Sequence, residues 1–151
     1  MTFADGSVFE GTFENGKRAS KGKLVMSNGD RYDGDFEGDM RSGHGQMNLA
    51  SGSIYVGPFV GGLPEGVGKF TSPEGDVYEG QFVKGQRTGQ GKFTMKDGRI
   101  FDGQWQDSMP HGMCTEITPN GDKYVGEFKE GVRSGQGKLV MKNLKTFEGE
   151  F

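Results

Sequence analysis

Residue types that carry chemistry are sparse in this chain and stand at spacings that serve it poorly. Gly85, Gly89, Gly91 and Lys92 imitate a glycine-rich phosphate loop. Such a loop needs Ser or Thr after its lysine, a glycine ahead of the four-residue gap and a helix starting at its end, so that amides, ammonium and hydroxyl meet one phosphate. Phe93 follows Lys92 and no helix can begin there, which leaves the glycines a structural role. His44 and His111 lie far apart, and no paired carboxylates or Ser, His and Asp set recurs at a spacing that catalysis needs. The expectation is a chain that is not an enzyme. His111 and Cys114 form a metal-like pair. One imidazole and one thiolate cannot hold zinc, but a two-fold dimer would bring two of each, the ligand number of a structural site. The competing reading puts a small cysteine in a crowded place, so no cofactor is expected and zinc is the alternative, across a dimer only. Lys17, Arg18, Lys21 and Lys23 are the densest basic patch and the candidate lipid contact. Glu10 and Glu14 accompany them, and attraction to lipid needs ~4 to 8 largely uncompensated charges.

What must position these residues is a repeat. Phe9, Tyr32, Tyr55, Tyr78, Phe101, Tyr124 and Phe147 recur every 23 residues without insertion or deletion. A period of this size marks an array whose units cannot bury their own faces and must stack on their neighbours. Residues 1–151 therefore read as one array, with six full units over 9–146 and partial units at 1–8 and 147–151. Both ends fall inside a unit, so a segment of a longer protein is expected. Glycine, 29 of 151 residues, is far above the usual ~7% and would by itself suggest disorder. The strict period argues for order. Only 31% of residues are apolar, too few for a two-layer core of this length, so a thin elongated structure follows.

The remaining composition narrows setting and partners. No apolar run approaches the ~18 to 20 residues of a membrane span, and no signal peptide opens the chain. A single cysteine excludes an internal disulfide and no Asn-x-Ser/Thr site occurs, so a reducing, cytoplasmic setting is expected. A net charge of −3 leaves no electrostatic footprint for nucleic acid.

Each unit opens aromatic-x-Gly-x-aromatic, as in Tyr78-Gly80-Phe82 and Phe101-Gly103-Trp105. Period two predicts a strand with these residues on one face. About ten residues on, Gly-x-Gly-x-apolar, as in Gly89-Gly91-Phe93, predicts a second. Keeping the marked faces together pairs Leu24 with Tyr32, Phe70 with Tyr78 and Phe93 with Phe101 across three-residue loops that end in Gly29, Gly52, Gly75, Gly98 and Gly121. Only Leu144 breaks that series, and strain is expected there. Within a unit the same parity pairs Tyr78 with Phe93, Gly80 with Gly91 and Phe82 with Gly89. Glycine opposite glycine leaves a trough across which rings can lie. On the other face Glu10 meets Lys23, Glu79 meets Lys92 and Val56 meets Lys69, contacts worth ~0.2 to 1 kcal/mol each.

The stretch Tyr78 to Gly98 resembles the MORN repeat family (membrane occupation and recognition nexus) at every marked position, Gly85 included, and the resemblance extends over the whole chain. Departures are Asp39, Ser108, Ser20, Cys114 and Leu144 at glycine positions and Glu116 at an apolar one, so the unit from Phe101 to Lys123 is the least regular. The resemblance implies an all-β, single-layer, twisted antiparallel meander used as a binding or assembly module, and two strands per unit give about thirteen short strands in all. It implies a protein-interaction and oligomerisation scaffold at a cytoskeletal or membrane-associated structure. The alternatives are a regulatory or targeting domain of a larger enzyme and a phosphoinositide-binding module.

A single layer has no second layer to cover Tyr32, Phe36, Tyr55, Phe59, Tyr78, Phe82, Trp105, Tyr124 and Phe128. An open aromatic row is therefore expected, receiving a partner helix or extended peptide with Trp105 as first anchor. Unpaired strand edges predict self-association, with a symmetric dimer the default.

Overall fold

The computed structural model describes residues 1–151, and the period-two segments form strands in one open antiparallel sheet. In chain order these are β1 (Val8–Glu14), β2 (Lys17–Val25), β3 (Arg31–Glu37), β4 (Met40–Asn48), β5 (Ile54–Val60), β6 (Leu63–Pro64) and β7 (Gly66–Thr71). They continue with β8 (Val77–Val83), β9 (Gln86–Thr94), β10 (Ile100–Gln106), β11 (Met109–Ile117), β12 (Lys123–Lys129), β13 (Val132–Val140) and β14 (Thr146–Glu150). Every strand neighbours the next in sequence except that β6 pairs β5 off the main path. No helix is long and apolar enough to cross a membrane.

Three-residue loops join the units as the spacing predicts. Met26 N–H donates to Asp30 O at 2.8 Å and Gly29 N–H to Met26 O at 3.0 Å, with Gly29 at φ +95°, the left-handed conformation that glycine adopts without a Cβ clash. The loop at Lys142 keeps the same two bonds, so Leu144 is forced to φ +68° with its side chain in solvent. The loops also stack. Asp30, Asp76 and Asp122 each accept, at 2.8 Å, the amide of the residue twenty positions on, at Ala50, Lys96 and Lys142. At the two places where that residue is proline, Pro73 and Pro119, no amide exists, and Ser53 and Arg99 stand where the aspartates would be.

Pairing within a unit departs from simple parity. Tyr78 faces Phe93 and Gly80 faces Gly91, but the register then shifts by two, so Phe82 faces Arg87 and Gly89 faces Trp105 of the next unit. The cause is a bulge held by the residue between glycine and the second aromatic. Gln81 Oε1 accepts Gln90 N–H at 2.8 Å, and Asp35, Gln104 and Glu127 do the same for His44, Met113 and Gln136. In the third unit that position is Pro58, whose side chain has no acceptor. There the second strand splits into β6 and β7 around Glu65, giving fourteen strands rather than thirteen.

Across the Gly80 and Gly91 trough lies the Tyr78 ring. A Cβ at Gly80 would stand 2.8 Å from its hydroxyl oxygen and nearer still to the Gly91 backbone. Rings then form an edge-to-face zigzag along the array: Tyr32 to Phe36 and Phe59, Tyr55 to Phe59 and Phe82, Tyr78 to Phe82 and Trp105, at centroid distances of 5.1 to 5.3 Å. The opposite face is charged. Its ion pairs join neighbouring units, Lys69 to Glu79 at 3.7 Å and Lys23 to Asp33 at 4.0 Å. Glu10 and Lys23, Glu79 and Lys92, and Val56 and Lys69 face one another in register, as the parity predicts.

Candidate functional site

The aromatic row is closed, not open. Tyr32, Phe36, Tyr55, Phe59, Tyr78, Phe82, Trp105, Tyr124 and Phe128 are each at most 5% exposed, because each packs edge-on against rings of its own or an adjacent unit. A single layer can thus bury its own aromatics when glycine lets them lie flat on the backbone. Their polar ends are also taken. The hydroxyls of Tyr32, Tyr55, Tyr78 and Tyr124 donate to the carbonyls of Asp35, Pro58, Gln81 and Glu127 at 2.7 to 2.9 Å. Trp105 donates Nε1–H to Gly91 O at 2.9 Å, so it is a structural residue rather than an exposed anchor. Burial pushes the phenols of Tyr32, Tyr55 and Tyr78 up to about 12.

What remains accessible on this face lies over the ladder. Opposite the second aromatic of each unit stands Arg18, Arg41, Pro64, Arg87, Pro110 or Arg133. These arginines lie over rings: Arg41 Cζ is 5.7 Å from the Phe59 centroid, and Arg87 Cζ is 5.0 Å from Trp105 and 5.1 Å from Phe93. Their carbonyls are anchored by mid-unit turns one unit on, with Gly62 N–H to Arg41 O at 3.0 Å and Ser108 N–H to Arg87 O at 3.0 Å. At Pro64 the face opens into a hollow of about 260 Å³ lined by Leu49, Leu63, Phe70, Met47 and Arg41 over Phe59 and Phe82. Leu63, which opens β6 just after the turn, is 47% exposed. Sequence reasoning missed the arginine row although its 23-residue period was visible. A long polar side chain opposite an aromatic reads as solvated unless the ring beneath it is known to be buried.

The other sequence candidates are dispersed. Lys17, Arg18, Lys21 and Lys23 do not form one patch. Arg18 lies over Phe3, Phe9 and Phe36 on the aromatic face and is paired to Asp39, while Lys21 and Lys23 pair with Asp35 at 3.5 Å and Asp33 at 4.0 Å. Lys17 faces Glu14 in register. That corrects the reading of a shared basic surface. Cys114 fills the trough of its unit, and burial pushes its thiol up to about 11, which disfavours the thiolate a zinc ion would need. His111 Nδ1 accepts the Glu130 amide at 3.4 Å. Gly89 to Lys92 belong to the bulge, whose Gln90 amide is held by Gln81 and so cradles no phosphate.

A family model described as the MORN repeat matches residues 9–31, 32–54, 55–77, 78–98, 101–123 and 124–143. No curated protein sequence matches. Among solved structures, the TCP domain of SAS-4 (dCPAP) of Drosophila melanogaster, in complex with a proline-rich motif of Ana2 (dSTIL), is similar at 9% identity, covering 87% of this chain and 85% of that one, with a TM-score of 0.49. The wild-type TCP10 domain of Danio rerio CPAP, in complex with a STIL peptide, is 13% identical, covering 99% of this chain and 76% of that one, with a TM-score of 0.41. At these identities and scores neither brings its peptide across to this chain.

Proposed function

Since the chain belongs to the MORN repeat family, we propose that it is a protein-interaction module that receives a segment of a partner protein on the aromatic face, in the hollow beside Leu63 and Pro64. The observation that carries this reading is an unfilled apolar hollow on a face whose own core is already closed. Apolar side chains left over after the core is satisfied gain most by covering a partner's apolar group, at roughly 25 cal/mol per Å² removed from water. The role asks for no chemistry from the chain, and it fits an isolated scaffold and a module appended to an enzyme equally. A phosphoinositide reading has Asp33, Asp35 and Asp39 against it, because they neutralise the basic residues it needs.

Panning the purified chain against a displayed random-peptide library tests this. Peptides should be enriched that bind the wild type, lose at least tenfold on Leu63→Glu and bind Lys92→Glu, on the opposite face, unchanged. Enrichment of nothing, or binding indifferent to Leu63→Glu, would sink the reading.

A further inference from the structure

The arginine row is not uniformly neutralised, and the residue that decides lies in an adjacent unit. Arg18 meets the carboxylate of Asp39 in the next mid-unit turn. Arg133 meets Glu116, with Nε to Oε1 at 3.0 Å. Arg41 comes instead against Gly62, and the one side-chain hydrogen bond it makes is Nη1 to Met47 Sδ at 3.5 Å. Arg87 comes against Ser108, donating Nη2–H to the carbonyl at 2.8 Å and meeting no carboxylate. Two half-buried guanidinium groups therefore lie against aromatic rings with no carboxylate at ion-pair distance, Asp30 acting on Arg41 only through space; Arg41 stands in the wall of the Leu63 hollow and Arg87 one strand beyond Phe82 at its other end. Burial holds both below the ordinary arginine range. A partly desolvated cation without an anion is costly, and a carboxylate brought to it forms a short, charge-assisted and often bidentate contact.

Resting on the interaction reading above, we propose that the hollow takes an extended acidic segment: two carboxylates, one on Arg41 and one on Arg87, with an apolar side chain between them in the Leu63 hollow. The geometry sets the spacing. Arg41 on β4 and Arg87 on β9 are four strand steps apart in the order β4, β5, β7, β8, β9, about 19 Å at ~4.8 Å per step. An extended chain at ~3.3 Å per residue covers that distance in about six residues. The attraction is local. The chain carries a net −3, so an acidic segment is repelled by the molecule as a whole and gains only where the arginines stand uncovered.

The test is the sequence content of the peptides recovered in the panning, together with their affinity for Arg41→Gln, Arg87→Gln and the double variant. Recovered peptides should carry Asp or Glu about six residues apart with an apolar residue between. Affinity should fall about tenfold for each single variant and roughly a hundredfold for the double, as independent charge-assisted contacts would. Added salt should weaken binding to the wild type much more than to the double variant. If either glutamine variant melts early, Arg41→Lys with Arg87→Lys and the salt dependence of the wild type carry the test. Peptides without the acid pair, or equal binding by the double variant, overturn this proposal and leave the interaction reading standing. No enrichment at all overturns both. Vesicles containing phosphatidylinositol bisphosphate that bind the wild type but not the double variant, while peptides bind both, would assign the arginines to a headgroup and overturn it too.

Discussion

The unit from Tyr78 and the one that follows it from Phe101 have the same length and the same strand pairing, yet they are packed differently. In the first, the Tyr78 ring lies over Gly91, is fully buried, holds Gln81 O through its hydroxyl and meets Phe82 and Trp105 edge-on. In the second, Cys114 occupies the position equivalent to Gly91, and Phe101 has no hydroxyl to hold the strand. A side chain now stands in the trough where the ring would lie. Phe101 is only half-buried, its nearest ring is Phe128 at 6.0 Å, and the core divides into one cluster ending at Trp105 and another of Cys114, Tyr124 and Phe128. At the next apolar position Glu116 is buried between Arg99, at 3.6 Å, and Arg133, at 3.0 Å, an ion cluster in place of a ring. The packing of a unit therefore depends first on its pair of glycines. The aromatic is packed only as well as the absence of a side chain beneath it allows.

Alkali should produce the largest separation, because it acts on several units together. Phenols in an unfolded chain ionise near 10, whereas Tyr32, Tyr55 and Tyr78 are held to about 12 by burial. The folded state keeps their protons longer, so the stability they contribute is complete below pH 10 and is lost as pH rises toward 12. The Phe101 unit should respond earlier and through its thiol, which rises from 9 to about 11, so that its contribution is lost between those values. Melting temperatures recorded at unit pH steps should fall in two stages. Cys114→Ala should remove the earlier one and leave the later.

Single substitutions separate the units next. Tyr78→Ala should cost about 3 to 5 kcal/mol, the usual range for a buried ring, and Phe101→Ala less than half of that, because its ring is already loose. Equal losses in denaturant titrations would dissolve the contrast. The smallest effect is the most telling. Gly91→Ala should cost about 1 to 3 kcal/mol by driving a Cβ into the Tyr78 ring, while Cys114→Gly combined with Phe101→Tyr should raise stability by rebuilding the trough.

Much of this is legible in the sequence. The 23-residue period and the face markings lead to the strands, the loops and the glycine trough, because backbone parity and left-handed turns are local properties. The bulge is not legible. It depends on whether Gln81 or its counterparts can reach an amide nine residues on, and parity alone places Phe82 opposite Gly89 rather than Arg87. The closure of the rings escapes for a different reason: each is covered from the neighbouring unit, as Tyr55 is by Phe82, and face markings within one unit carry no information on that. The lone guanidinium groups are hidden because neutralisation is decided some twenty residues away, at Asp39, Gly62 and Ser108.

The order of the strands also fixes how the molecule would carry force. Strands run across the array and their hydrogen bonds run along it, so tension between the two ends pulls each ladder open in the direction of its bonds rather than sliding strands past one another. Rungs loaded in that way break in succession, and extension begins where the side-chain packing is thinnest. Under tension the array should lengthen first at the Phe101 unit, where a stretched partner would find the chain most compliant.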